Sequence, residues 1–334
     1  MNFTIIIHTD VLVFTIKSYT GAKPPNGLAV RMVFNVCCGI AVAWNVLCDG
    51  IFFGNSSVCI TIYCQNGERS MTYYCQETRV RFIMNSFIKW VGGKRLLRNQ
   101  ILQEFPKEET ECYVEVFGGA AWVLFAKEKH AKIEVYNDVN HNLVNLFRCV
   151  KYHTDAFYHE LKWNLVSREQ FDQAKEELNR SCLTDVQRAA CFFVLIKCSF
   201  GAKMQDFSGK RVSFHNTIEN LGCFRERLKA TIIEQLDFEK LISLYDREGT
   251  LFYADPPYYK AEEYYTEEFQ VSDHIRLKER LDKIQGKFVL TYNDCSFIRE
   301  LYHDYRIISA ERQSNITAPT VKKKYQEVII KNFD

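Results

Sequence analysis

One stretch limits the fold more than any other: Leu251-Phe-Tyr-Ala-Asp-Pro-Pro-Tyr-Tyr259. Leu251 to Ala254 is a short apolar and aromatic run, the pattern of a strand covered on both faces. Pro256 and Pro257 have no backbone N–H, so the ladder must stop at Asp255. In an open α/β sheet, the carboxyl end of such a strand is where ligands bind.

The chemistry at that end is specific. Asp255 offers a carboxylate, and two locked φ angles fix the direction of the Pro256 carbonyl. Together they form two acceptors for both hydrogens of one exocyclic amino group. Tyr258 adds a flat face on which a base can stack. The plainer reading, an Asp-Pro turn after a strand, is common. The doubled proline with flanking aromatics favours the functional one.

The rest of the chain alternates β and α patterns. Strands are expected at 113–117, 132–136, 230–234, 251–254, 287–292, 305–309 and 325–331. Helices are expected at 95–104, from Gly118 to about His130, and at 140–152, 168–179, 184–198, 237–245, 273–285 and 296–302. That alternation calls for a doubly wound, mostly parallel sheet. The final two strands have a short link without a helix and should form a hairpin. Apolar content of 47% and charge of 25% are those of a soluble globular chain. The thirteen cysteines form no C-x-x-C pair and no zinc-ligand spacing, so they read as reduced thiols of a cytosolic protein and no metal is expected. A net charge of +2 means that nucleic acid must be met by a local patch.

Two glycine turns stand ahead of the organising strand. Phe87-Ile-Lys-Trp-Val-Gly-Gly-Lys94 puts glycines between Trp90 and Lys94; by itself this reads as a surface turn with a solvated lysine. Gly118-Gly-Ala-Ala-Trp122 follows a strand containing Glu115 and Phe117, and a glycine turn there brings backbone N–H groups against a ligand. It is not the G-x-G-x-x-G of nicotinamide enzymes. Asp138 lies a little over twenty residues after Glu115, at the end of the next strand. That spacing suits an acid reaching ribose hydroxyls, and the position equally suits the N-cap of the following helix.

Residues 151–227 read as a mainly helical middle with a hairpin turning at Ser208-Gly209. Lys203, Lys210, Arg211, Arg225 and Arg227 concentrate basic charge there among Phe200, Phe207 and Phe214. A DNA-facing surface and a solvated loop fit this pattern about equally. Lys322, Lys323 and Lys324 close a polar loop, where a solvated turn is the ordinary reading. Residues 1–83 differ from the rest, with six of the cysteines and apolar runs broken by Gly and Asn. A small β-rich domain, a membrane anchor and translated upstream sequence compete as explanations. The last is favoured, because Met84 opens directly onto the first glycine motif. The most hydrophobic piece, 33–48, is too short to span a bilayer, and no stable membrane association is expected.

Taken in order, the lysine motif, glycine loop, acid, variable middle and Asp255-Pro-Pro-Tyr258 resemble the DNA adenine methylase family over about residues 87–333. The resemblance implies a Rossmann-like methyltransferase sheet, mostly parallel with an antiparallel last strand. Residues 84–150 and 228–334 would form its catalytic domain, and 151–227 a small, mainly helical target-recognition insert. It implies transfer of a methyl group from S-adenosylmethionine to N6 of a flipped-out adenine in double-stranded DNA. Asp255, Pro256, Pro257 and Tyr258 match the catalytic motif; Trp90, Lys94, Glu115, Phe117, Gly118, Gly119, Asp138 and Asp255 match cofactor positions. Lys203, Lys210, Arg211 and Lys322 to Lys324 are candidate DNA contacts. A cognate restriction endonuclease is a partner that some such enzymes have. Cytosine N4 methylation, an RNA adenine and a silent DNA-binding protein of the same fold stay open as alternatives. Ala120 and Ala121, where the family usually has more glycine, are the motive for the last.

Overall fold

The computed structural model describes residues 84–180, 182–209, 214–259, 269–313 and 324–334, together with short strands within the first 82. Two compact units divide the chain, Met1–Phe82 and Ile83–Asp334. In the first, the described residues form three antiparallel pairs. Phe3–Thr4 pairs with Tyr63–Cys64, Val36–Cys37 with Ile40–Ala41, and Val58–Thr61 with Thr72–Cys75.

The second unit carries seven strands in one sheet: β1 (Cys112–Glu115), β2 (Ile133–Asn137), β3 (Thr231–Glu234), β4 (Thr250–Ala254), β5 (Lys287–Asn293), β6 (Arg306–Gln313) and β7 (Lys324–Lys331). Their order across the sheet is β6-β7-β5-β4-β1-β2-β3. From β5 to β3 every pairing is parallel. β7 runs antiparallel to both β5 and β6, giving the closing hairpin that the sequence predicts. The fold is thus the expected doubly wound, mostly parallel sheet with an antiparallel last strand.

The central strands are apolar on both faces because both faces are covered. Along β4, Leu251 and Tyr253 belong to one hydrophobic cluster while Phe252 and Ala254 belong to the other. Cluster one packs against α1 (Arg98–Gln103), α2 (His141–Tyr152), α3 (Thr154–Lys162), α4 (Arg168–Leu178), α5 (Asp185–Cys198), α6 (His215–Glu219) and α7 (Leu221–Leu228) through residues such as Ile101, Phe147, Phe157, Phe171, Phe193 and Phe224. Cluster two is covered by α8 (Phe238–Tyr245), α9 (Val271–Leu281) and α10 (Ser296–Leu301). Helix starts follow side-chain capping. Asn140, Ser167, Thr184 and Asp237 each accept from a backbone N–H of the first turn, and Thr184 with Gln187 makes a capping box.

One predicted element is absent. Gly118 does not open an α-helix; turns lead instead to a single 3-10 turn at Leu124–Ala126. Gly119 at φ +49° and Ala121 at φ +55° lie in the left-handed region, which a right-handed helix cannot contain. The expected helix at 95–104 begins only at Arg98. Of the hairpin expected at 207–214, residues 210–213 lie outside the described residues; Phe207 bridges back to Ser199. The seven cysteines of the second unit are free thiols, and no described helix is long and apolar enough to cross a membrane.

Candidate active site

The sheet delivers its functional residues to one edge. β1 ends at Glu115, β2 at Asn137 and β4 at Ala254, so Phe117, Asp138 and Asp255 all project beyond carboxyl ends of parallel strands. A cleft of about 770 Å³, open to solvent, lies there. Trp90, Lys94, Glu115, Phe117, Gly118, Gly119, Asp138 and Asp255 all line it, as does Pro257. These are the eight cofactor positions singled out from the sequence, brought together from four separate segments. Pro256 is buried just behind the lining, and Tyr258 stands half-buried beside it.

The glycines are there for space. A Cβ on Gly118 would come within 2.2 Å of the Tyr136 ring, whose hydroxyl donates to the Gly119 carbonyl at 2.8 Å. Ala120 and Ala121 are buried, and Ala120 also lines the cleft, so the loop closes with alanine where more glycine is usual. Asp138 does not cap α2, since Asn140 does that by accepting from Leu143 at 3.0 Å. Asp138 instead accepts from the Gly119 N–H on one oxygen and the Asn140 N–H on the other, both at 2.9 Å, tying the glycine loop to the end of β2.

Lys94 is no solvated surface lysine. It is 3% exposed, and its Nζ lies 2.7 Å from Asp255 Oδ2 while donating to the Gly92 carbonyl at 2.8 Å. The other Asp255 oxygen accepts from Thr291 Oγ1 at 2.8 Å, and Thr291 Oγ1 is 3.3 Å from the Tyr253 hydroxyl. Tyr258 donates to Glu327 Oε2 at 2.6 Å, and Lys94 Nζ sits 4.6 Å from the centre of the Tyr258 ring. Sequence reasoning missed Thr291 and Glu327. For Glu327 a signal existed: an acid leading the buried run Val328-Ile-Ile330. Thr291 lies within an apolar strand and gave none.

Three acids share this cleft, and burial acts on each. The Glu115 carboxyl is pushed up to about 8 by burial, with the Asp255 charge adding to it and bonds from Tyr113 and Leu124 opposing. Burial also raises Asp138, against the N–H groups of Asn140 and Gly119. Asp255 is raised by burial, while Lys94 and Thr291 work to keep it ionised.

The candidate DNA contacts divide. Lys203 is half-buried after the 3-10 turn Phe200–Ala202 and does not line the cleft. Lys210, Arg211, Lys322 and Lys323 lie outside the described residues, and Lys324 opens β7 with only its backbone described. Arg227 is not a surface charge at all. Its guanidinium is buried in a two-pronged pair with Glu134 at 2.8 and 2.9 Å, and it also donates to the carbonyls of Leu124 and Lys127.

Known proteins bear on these features directly. The "DNA adenine methylase" of Haemophilus influenzae is 24% identical over 269 residues, covering 73% of this chain and 92% of its own. The "Type II methyltransferase M.MjaIII" of Methanocaldococcus jannaschii is 28% identical over 292 residues, covering 75% and 99%. Among solved structures, the rRNA methyltransferase aviRa of Streptomyces viridochromogenes aligns over 70% of this chain and 83% of its own at 11% identity and a TM-score of 0.31, too loose a likeness to carry an argument. Residues 90–316 match the profile of the D12 class N6 adenine-specific DNA methyltransferases, a span that begins at Trp90 and includes Asp255-Pro-Pro-Tyr258. With that match over most of its length, this chain belongs to the D12 class N6 adenine-specific DNA methyltransferase family.

Proposed function

We propose that the cleft binds S-adenosylmethionine and that the adenine enters beside Asp255-Pro-Pro-Tyr258, flipped out of double-stranded DNA. The observation that carries this is the Asp255 carboxylate, held at the cleft by Lys94 on one oxygen and Thr291 on the other. Each oxygen keeps a lone pair free of these bonds.

The donor set suits the cofactor. Acids on the wall match a ligand with an ammonium, a sulfonium and ribose hydroxyls; the faces of Trp90 and Phe117 match its adenine. Asp138, fixed by two backbone N–H groups, is the residue that would meet the ribose. Glu115, Gly118 and Gly119 would line the rest of the bound molecule. When bound, S-adenosylmethionine supplies a methyl group already activated on a cationic sulfur. The protein's work is therefore orientation and charge, with no covalent enzyme intermediate.

The target amine is out of reach inside a duplex, so the base must leave the stack. Asp255 and the Pro256 carbonyl accept the two N6 hydrogens and turn the nitrogen lone pair toward the cleft. Tyr258 supplies the stacking face. Lys94 keeps Asp255 an acceptor by favouring its ionised form. Once nitrogen is methylated it sheds a proton readily, to Asp255 or to solvent. Residues 151–227 are the proposed source of target recognition, and a cognate restriction endonuclease is a proposed partner without a structural feature of its own.

The test is chemical. The full chain is incubated with unmethylated bacterial DNA and S-adenosylmethionine, the DNA is digested, and nucleosides are identified by mass spectrometry. N6-methyladenine is expected. N4-methylcytosine would move the target, and neither product, with no cofactor binding by calorimetry, would overturn the reading. Asp255→Ala should keep the fold and lose more than about 10²-fold in rate, the scale on which misplaced reactants cost.

A further inference from the structure

We propose that Glu327 is a positioning residue of this site: its carboxylate fixes the Tyr258 ring against the Lys94–Asp255 pair, setting the distance between stacking face and amine acceptor. The proposal rests on the reading of Tyr258 as the stacking face.

The geometry is compact. Glu327 is 1% exposed and comes from β7, while Tyr258 follows β4. The phenol donates to Glu327 Oε2 at 2.6 Å, the short distance of a charge-assisted bond. That same oxygen is 4.0 Å from Lys94 Nζ, which lies 2.7 Å from Asp255 and 4.6 Å from the Tyr258 ring centre. One ammonium thus stands between two carboxylates with the ring against it. Tyr258 also leans on Tyr292, ring centres 6.0 Å apart.

Energetics argue that the acid is there for the site. Val328, Ile329 and Ile330 follow it in the same buried strand, and an apolar residue would continue that core. Burying a second carboxylate within reach of Asp255 is unfavourable unless it is paired and hydrogen-bonded. Here its partners are Tyr258, the stacking face, and Lys94, which holds Asp255. Tyr258 needs such an anchor, because a stacking platform rotating about its side-chain bonds would not hold a base in line with the cleft.

The test uses the full chain with Glu327→Ala, Glu327→Gln, Tyr258→Phe, Tyr258→Ala and the double variant Tyr258→Phe with Glu327→Ala. Rates are measured on unmethylated phage DNA. Base stacking is read by fluorescence of a duplex with 2-aminopurine at the target position, the site having been mapped from the enzyme's own methylation of that DNA. Glu327→Ala should lower kcat/KM for DNA by about 10- to 100-fold, the scale of a hydrogen bond to a charged group. Its affinity for S-adenosylmethionine, measured by calorimetry, should stay within about threefold of wild type, a shift well under the size of one such bond. Glu327→Gln still accepts from the phenol and should recover most of the rate. Tyr258→Phe should match Glu327→Ala, and the double variant should be no worse than either, because both remove one interaction. The 2-aminopurine signal should rise several-fold in Glu327→Ala as quenching by the ring is lost.

Multiplying losses in the double variant, or an unchanged 2-aminopurine signal in Glu327→Ala, overturns the proposal. If Glu327→Ala does not fold, Tyr258→Phe decides: it leaves the carboxylate in place, and a wild-type rate and signal refute the anchor. Tyr258→Ala separates the two levels. A wild-type signal there sinks the stacking reading itself, whereas a changed signal there with none in Glu327→Ala sinks only the role given to Glu327.

Discussion

Replacing Lys94 by Met tests the electrostatics of the site most directly. Met fills nearly the same volume and removes only the ammonium, so the buried position is not left as a void. The lost contact is 2.7 Å from Asp255 Oδ2. A hydrogen bond to a charged group is worth about 1.5–3 kcal/mol net. Taking that much from the ionised form raises Asp255 further. Asp255 is already raised by burial, so the change adds to an existing shift. In the proposed site the ionised carboxylate accepts an N6 hydrogen and the Thr291 bond on separate oxygens, whereas protonation turns one oxygen into a donor, so activity rises with pH through this pKa. The acid limb of the rate profile should therefore move to higher pH, with the rate on that limb lower by about 10- to 100-fold and partly recovered at alkaline pH. Stability changes with the same sign. A folded carboxyl that holds its proton more tightly than the unfolded one stabilises at low pH and loses that contribution as pH rises. The variant should lose least stability in acid and up to about 3–5 kcal/mol where Asp255 is ionised without its partner. Initial rates at saturating DNA, measured from acid to alkaline pH beside thermal melts, give both numbers. A loss of equal size at every pH, with the acid limb unmoved, would refute the coupling.

Three further outcomes are expected. Glu115, raised from an ordinary 4.5 to about 8, holds a proton in the folded state across that window, so wild-type stability falls as pH rises through it; Glu115→Gln should flatten the fall, which at three to four units comes to roughly 4–5 kcal/mol, read as melting temperature against pH. Arg227→Met leaves Glu134 buried without its guanidinium and should cost about 3–5 kcal/mol in denaturant unfolding, with part recovered by pairing it with Glu134→Met. Gly118→Ala drives a Cβ into the Tyr136 ring, which is stacked on Phe147 at 4.1 Å; it should cost about 1–3 kcal/mol and weaken S-adenosylmethionine binding by calorimetry.

The parts of this fold that depend on local pattern were legible. Strands such as Leu251–Ala254 show as apolar runs because both faces are covered, and Pro256 and Pro257 marked where the strand must stop. The residues that line the cleft were legible because Glu115, Phe117, Gly118, Gly119, Asp138 and Asp255 stand at or just beyond strand ends, where glycine or an acid is otherwise out of place, while Trp90 and Lys94 flank a glycine turn. What failed depended on tertiary detail. The residues after Gly118 have good helix formers, Ala120 and Ala121 among them, yet Gly119 and Ala121 take positive φ and a helix cannot start. Arg227 looked like a member of a basic surface because its partner Glu134 is 93 residues away in the chain. Lys94 looked solvated for the same reason: Asp255, which makes it a buried ion pair, is remote in sequence.

Glu327 shows how the one antiparallel strand serves the site. In a parallel sheet, only residues at the ends of strands reach the edge where ligands sit. β7 runs the other way, so its beginning arrives there: Glu327, fourth in the strand, is opposite Asn293, the last residue of β5. The antiparallel insertion between β5 and β6 thus supplies a fourth acid, beyond Glu115, Asp138 and Asp255, without another strand-end loop. That acid comes from a hydrogen-bonded strand paired on both sides, unlike Tyr258, which lies in the irregular segment after β4. A side chain that must hold another in place is best carried by the less mobile backbone. The proposed division is therefore physical: loops at the ends of β1, β2 and β4 would present the groups that meet ligands, and the interior of β7 would carry the group that fixes one of them.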